Sequence, residues 1–84
     1  MDDMKERHRL YLRALGNPLR RNILKAFKSG DVTIDSLQSR TNLDIKTLEW
    51  HLALLEHALC VEKEVRNGKV LYKLTQEGKV VDYL

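Results

Sequence analysis

With one cysteine, one proline, one tryptophan and one phenylalanine in 84 residues, the chain has few of the devices that staple or punctuate a small fold. The lone thiol, Cys60, excludes an internal disulfide framework, and the setting expected for it is reducing and intracellular. No apolar run approaches the roughly 18 residues that a membrane span needs, and the charged opening from Met1 to Arg9 does not resemble a secretory signal. There is no internal repeat, low-complexity tract or phosphate-cradling glycine loop, and no nucleophile–base–acid set. An enzyme is therefore not expected. His57 and Cys60 stand three apart with no second pair nearby, a poor zinc site, so neither metal nor cofactor is expected.

What is present suits a globular chain. Hydrophobic residues make up 43% and charged residues 32%, a balance that can bury a core, and the length allows one domain over residues 1–84. The net charge of +3 is a mild basic bias, but its distribution is uneven. Residues 1–30 carry eight basic and three acidic groups, residues 31–60 two and five, and residues 61–84 five and four. Charge available to phosphate is thus expected at the two ends of the chain.

Hydrophobic spacing divides the chain into short elements. Met4, His8, Tyr11, Leu12 and Leu15 recur at helical spacing, and Gly16 ends the run. Asn17 caps a second helix with Pro18 in its first turn, and Leu19, Ile23, Ala26 and Phe27 form its inward stripe to about Ser29-Gly30. Thr33 caps a short third helix ending near Thr41. Asp44 caps a fourth, whose inner face is Ile45, Leu48, Leu52 and Leu55. The period then shortens to two, and Val61 to Leu74 reads as a hairpin about Asn67-Gly68. Its register sets Val65 opposite Val70, Val61 opposite Leu74 and Glu62 opposite Lys73. Thr75 caps a last helix from Gln76 that carries Val80, Val81 and Leu84. The expected class is α+β, mainly α: a winged helix-turn-helix of about five helices with a two-stranded wing before the last.

Three strings in this order resemble the arsenical-resistance repressor (ArsR) family. They are Asn17-Pro18-Leu19-Arg20-Arg21-Asn22-Ile23-Leu24, His51-Leu52-Ala53-Leu54-Leu55-Glu56-His57-Ala58, and Asn67-Gly68-Lys69-Val70-Leu71-Tyr72-Lys73-Leu74-Thr75. The resemblance implies a homodimeric transcriptional regulator, a repressor, that binds double-stranded DNA in the cytoplasm and the nucleoid. Two departures stand out. Leu59 occupies the helix exit where the family places glycine, so that exit is expected to be displaced or strained. Thr33 and Asp35 stand where the family's metal sensors carry Cys-x-Cys, and no histidine follows His57, so metal sensing is not carried over.

On the fourth helix, Lys46, Thr47, Trp50 and Ala53 project opposite the buried stripe, with Glu49 and His51 on its flanks. Composition alone makes this a solvated face; the family position makes it the face that meets a major groove. Lys46 then reaches phosphate or guanine, Thr47 a phosphate or thymine methyl, and Glu49 a cytosine amino group. Trp50, a large aromatic turned outward, suits a DNA groove, a dimer partner or a folded-back arm. His51 serves either that surface or local packing. Arg66, Asn67 and Lys69 form the wing tip, where cations can straddle phosphates or enter a minor groove. Arg20 and Arg21 either contact backbone phosphate or pair with Asp31 or Asp35. The dimer surface is assigned to Leu10, Leu15, Val80, Val81, Tyr83 and Leu84, which would set two recognition helices about 34 Å apart. A rival reading keeps the fold but turns the third and fourth helices toward another protein, which the acidic middle third suits.

Overall fold

A computed structural model describes residues 3–28 and 30–79 of the chain. The order is α1 (Asp3–Leu15), α2 (Pro18–Ala26), α3 (Ile34–Thr41), α4 (Ile45–His57), β1 (Val61–Arg66) and β2 (Lys69–Leu74). The expected last helix is described only as a turn over residues 76–79, in which Gly78 N–H donates to Thr75 Oγ1 at 3.1 Å. Val80, Val81, Tyr83 and Leu84 lie outside the described residues. Among the described residues, four helices and one antiparallel hairpin make a mainly helical winged helix-turn-helix.

The core gathers Ile23, Leu24 and Phe27 of α2, Leu37 of α3, Leu48, Leu52 and Leu55 of α4, and Cys60 and Val61 beyond it, all essentially inaccessible. α1 closes one side through Ala14 and Leu15, with Leu10 and Tyr11 packed against the cluster. Two periodicity assignments are corrected by this packing. Leu12 and Leu19, expected inward, are 55% and 42% exposed, because α1 turns its Leu10–Tyr11–Ala14 side to the core and α2 its Arg20–Ile23–Leu24 side. Leu15, assigned above to a dimer surface, is itself core and only 9% exposed.

The junction of α1 and α2 shows how a helix end is satisfied without a glycine in left-handed conformation. The last four carbonyls of a helix lack intrahelical partners. Here the Leu12 carbonyl accepts from Gly16 N–H (2.8 Å), the Arg13 carbonyl from Arg20 Nη2 (3.1 Å), the Ala14 carbonyl from Arg20 Nε (3.0 Å) and the Leu15 carbonyl from Arg21 Nη1 (2.7 Å). Every orphan is matched, and two cations sit where the helix dipole is negative. At the other side of the same turn, Asn17 Oδ1 accepts from the N–H groups of Leu19 and Arg20, and Pro18 begins α2 without needing a partner. Arg40 repeats the device on α2, donating to the Ala26 carbonyl at 2.8 Å.

The helix-turn-helix pair is set by local chemistry. Thr33 Oγ1 accepts from Ser36 N–H at 3.1 Å and starts α3; Asn42 takes φ 62° and ends it. Asp44 has the extended backbone of a capping residue, but its carboxylate makes no capping bond, so the expected cap is one of conformation only. The hairpin register is the expected one, Val61↔Leu74, Glu62↔Lys73 and Val65↔Val70, with Lys73 Nζ 3.8 Å from Glu62. Positive φ at both Asn67 (53°) and Gly68 (78°) makes the tip a type I′ turn, whose twist matches the strands. An extra bridge pins the hairpin to the body: Val32 and Tyr72 exchange both N–H···O bonds at 2.8 Å just before α3.

The exit from α4 is strained, as expected, but not displaced. Leu59 has φ 63°; its N–H donates to the Glu56 carbonyl at 3.0 Å, and Cys60 N–H to the Leu55 carbonyl at 2.8 Å. These are the paired bonds of a Schellman ending, built with leucine where glycine carries no steric penalty. The segment after β2 folds onto this exit: Thr75 N–H donates to the Cys60 carbonyl at 3.0 Å, and a Cβ on Gly78 would lie 2.0 Å from that same oxygen.

Candidate nucleic-acid interface

α4 presents the outer face that its sequence projects. Lys46, Glu49, Trp50 and Ala53 are exposed and Thr47 is half-buried. The helix is held from behind by Leu48, Leu52 and Leu55, so this face is carried on a rigid element. Trp50 is 61% exposed, and its contact with His51 is an edge packing with ring centroids 5.0 Å apart and planes at 75°.

Two residues assigned to this surface are not on it. His51 is 5% exposed and Arg20 7%, the buried polar pair among the described residues. Arg20 Nη1 lies 3.3 Å from His51 Nδ1, while the rest of the guanidinium is bonded to α1. Arginine offers only donors, so Nδ1 accepts and the imidazole is neutral with its proton on Nε2. Burial, and then the neighbouring Arg20 charge, hold the His51 pKa below the ordinary imidazole value. Arg20 therefore carries structure rather than phosphate, and Arg21, bonded to the end of α1, is partly committed in the same way. A signal was available. Arg20 stands three and four before Ile23 and Leu24, and His51 three after Leu48 and four before Leu55, so both lie on inward stripes.

The wing tip is less cationic than its sequence suggests. Arg66 Nη2 lies 3.3 Å from Asp31 and closer to the Glu64 carboxylate, with which it also hydrogen-bonds. Asn67 and Lys69 are exposed, and Lys69 makes no ion pair with a described residue. Val65 and Val70 form an exposed apolar pair behind the tip. Tyr72, where the hairpin meets the body, is buried, and burial with the charges of Glu56 and Glu49 pushes its pKa up.

Cys60 is fully buried. Burial, with Glu77 adding to it, pushes the thiol pKa up to about 11, so at neutral pH it is protonated and a poor nucleophile. No cluster of three or more metal-ligating side chains occurs among the described residues. No described helix is long and apolar enough to cross a membrane.

A helix-turn-helix whose second helix exposes a polar and aromatic face, followed by a type I′ wing, defines a winged helix-turn-helix protein. Among solved structures, the chain is similar to HlyU from Vibrio cholerae N16961 (25% identity, TM-score 0.81, covering 99% of this chain and 92% of that one). It is also similar to the transcriptional repressor BigR from Xylella fastidiosa (23%, TM-score 0.78, 99% and 90%). A third neighbour is the homodimeric winged helix-turn-helix DNA-binding domain Mb0332 from Mycobacterium bovis, a possible ArsR-family regulator (20%, TM-score 0.81, 95% and 73%). The chain thus has the winged helix-turn-helix fold seen in ArsR-type transcriptional regulators. Compared by sequence, it matches no protein-family model and no curated protein.

Proposed function

We propose that this chain is a sequence-specific double-stranded DNA-binding transcriptional regulator, a repressor acting as a homodimer in the cytoplasm and nucleoid. The observation that carries the reading is the outer face of α4, where Lys46, Glu49 and Trp50 are exposed and Thr47 half-buried on a firmly packed helix beside a type I′ wing. α4 enters the major groove with Lys46 and Thr47 toward phosphates and base edges and Glu49 toward a cytosine amino group. Asn67 and Lys69 approach the flanking backbone or minor groove, and Arg66 joins them when phosphate displaces Asp31 and Glu64. The dimer surface consists of the exposed Leu12 with Val80, Val81, Tyr83 and Leu84; Leu12 takes the place assigned to Leu10 and Leu15, which turn toward the body of the fold. Two recognition helices then fall about one helical turn apart, and the bound dimer competes with transcription machinery at a promoter.

Selection from a random duplex library tests this directly. An enriched inverted repeat with half-sites about 10 base pairs apart is expected; a pool that remains random after repeated rounds counts against sequence-specific recognition. One observation favours a second reading, a winged helix that docks on another protein: the wing's Arg66 is neutralised by Asp31 and Glu64 while Trp50 stays exposed. An interface centred on Trp50 would tolerate salt that dissociates a phosphate-bound complex.

A further inference from the structure

Between the C-terminal half of α1 and the outer side of α4 runs a groove of about 250 Å³. Its apolar lining is Leu10 and Ala14 from α1 and Leu54 and the ring of Trp50 from α4, and Asn17 and His57 add polar groups to the walls. Its charged groups are the guanidinium groups of Arg13 and Arg20, and no acidic residue lines it. Arg20 is locked by its bonds to the Ala14 and Arg13 carbonyls and to His51, which fixes a positive charge in the wall. Arg13 is exposed and makes no ion pair with a described residue, so its planar fork is available. Trp50 meets His51 by an edge contact and leaves most of its ring surface open.

We propose that this groove binds a small planar aromatic monocarboxylate, its ring against Trp50 over Leu10, Ala14 and Leu54, its carboxylate on the Arg13 guanidinium and near the fixed charge of Arg20. Both halves of the ligand are required by the site. An inorganic anion would leave the aromatic and aliphatic walls in water, and a neutral aromatic would leave the cationic end unmatched. The bidentate geometry of guanidinium and carboxylate supplies orientation. Size limits the ligand as well, since pockets for drug-sized molecules run from about 300 to 1,000 Å³ and this groove is smaller. Trp50 also belongs to the exposed face of α4, so an occupied groove holds its ring toward α1. That consequence for DNA binding rests on the function proposed above, whereas the binding itself does not.

The full chain contains one tryptophan, so its indole N–H gives a single signal in a nitrogen-correlated NMR spectrum. Benzoate is titrated into the labelled protein beside benzamide, its uncharged isostere. A saturable shift of the Trp50 indole signal with benzoate is expected, weakened at least about tenfold with benzamide and about tenfold in Arg13→Ala, an exposed position whose change leaves the remaining spectrum folded. Absence of a saturable shift with benzoate overturns the proposal, as does equal saturation by benzamide or by Arg13→Ala. Duplex binding measured without benzoate is a separate readout: its absence removes the regulator reading and leaves the outcome of the titration unchanged.

Discussion

Arg20 Nη1 stands 3.3 Å from Nδ1 of His51, so the first turn of α2 and the middle of α4 are joined through a buried bond that only a neutral imidazole can accept. Protonation would remove the acceptor and place two cations side by side. The His51 pKa is lowered by burial and then by Arg20, which fixes the sign of the pH effect. A histidine with a depressed folded-state pKa contributes stability that is fully present above its unfolded value, about 6.5, and is lost as pH falls below that value toward the folded pKa. The urea midpoint is therefore expected to drop between pH 7.5 and pH 5.5. In His51→Asn, whose amide oxygen keeps an acceptor near the position of Nδ1 without titrating, that drop should be smaller. An identical pH dependence in the variant would contradict the linkage.

Arg20 also closes the end of α1 by bonding the Arg13 and Ala14 carbonyls. Arg20→Ala leaves two helix-end carbonyls and His51 without their partner, and a loss of about 2–4 kcal/mol is expected in denaturant unfolding. Arg20→Lys should recover little, because one ammonium cannot reproduce the fork. Recovery of wild-type stability by lysine would show that charge, and not geometry, closes the helix.

Much of the fold was legible because its determinants are local. Asn17-Pro18, Thr33 and Asn67-Gly68 act through bonds and backbone angles within a few residues, and the hairpin register follows once its turn is known. The pairings that misled are distant. Arg20 and His51 are 31 residues apart, and nothing in either neighbourhood announces that a charged side chain on an inward stripe has found a buried partner. Leu12 and Leu15 satisfy the same helical spacing, and only packing decides that Leu15 goes inward. Charge counts misled for a related reason. They record Arg20, Arg21 and Arg66 as available cations, whereas the first two face carbonyls of α1 and the third faces Asp31 and Glu64.

Leu59 holds φ 63° while 48% exposed, so its side chain gives little packing in return for a left-handed backbone. Leu59→Gly is expected to stabilise the chain by about 0.5–1 kcal/mol, the relief of strain exceeding the added freedom of the unfolded chain. Leu59→Ala, which keeps a Cβ, should bring no such gain. A lower melting temperature in the glycine variant would show that Leu59 contributes contacts worth more than its strain.

Gly78 is required by proximity. A methyl group there would lie 2.0 Å from the Cys60 carbonyl oxygen, which already accepts from Thr75 N–H. Gly78→Ala should push this segment away from the exit of α4 and cost about 1–3 kcal/mol, read as a lower urea midpoint. A variant as stable as the parent would mean that the segment moves aside freely.

Duplex binding across a salt series comes first among all of these, by fluorescence anisotropy on a labelled DNA, with wild type and Lys46→Glu/Lys69→Glu compared. Both lysines are exposed, so the variant should keep the parent's circular dichroism and melting behaviour. Wild-type affinity should fall steeply and log-linearly with salt, by about 0.9 in slope for each phosphate neutralised, and the reversed-charge variant should bind far more weakly with a shallower slope. Negligible wild-type binding at low salt, or equal affinity and slope in the two proteins, would contradict DNA recognition through α4 and the wing.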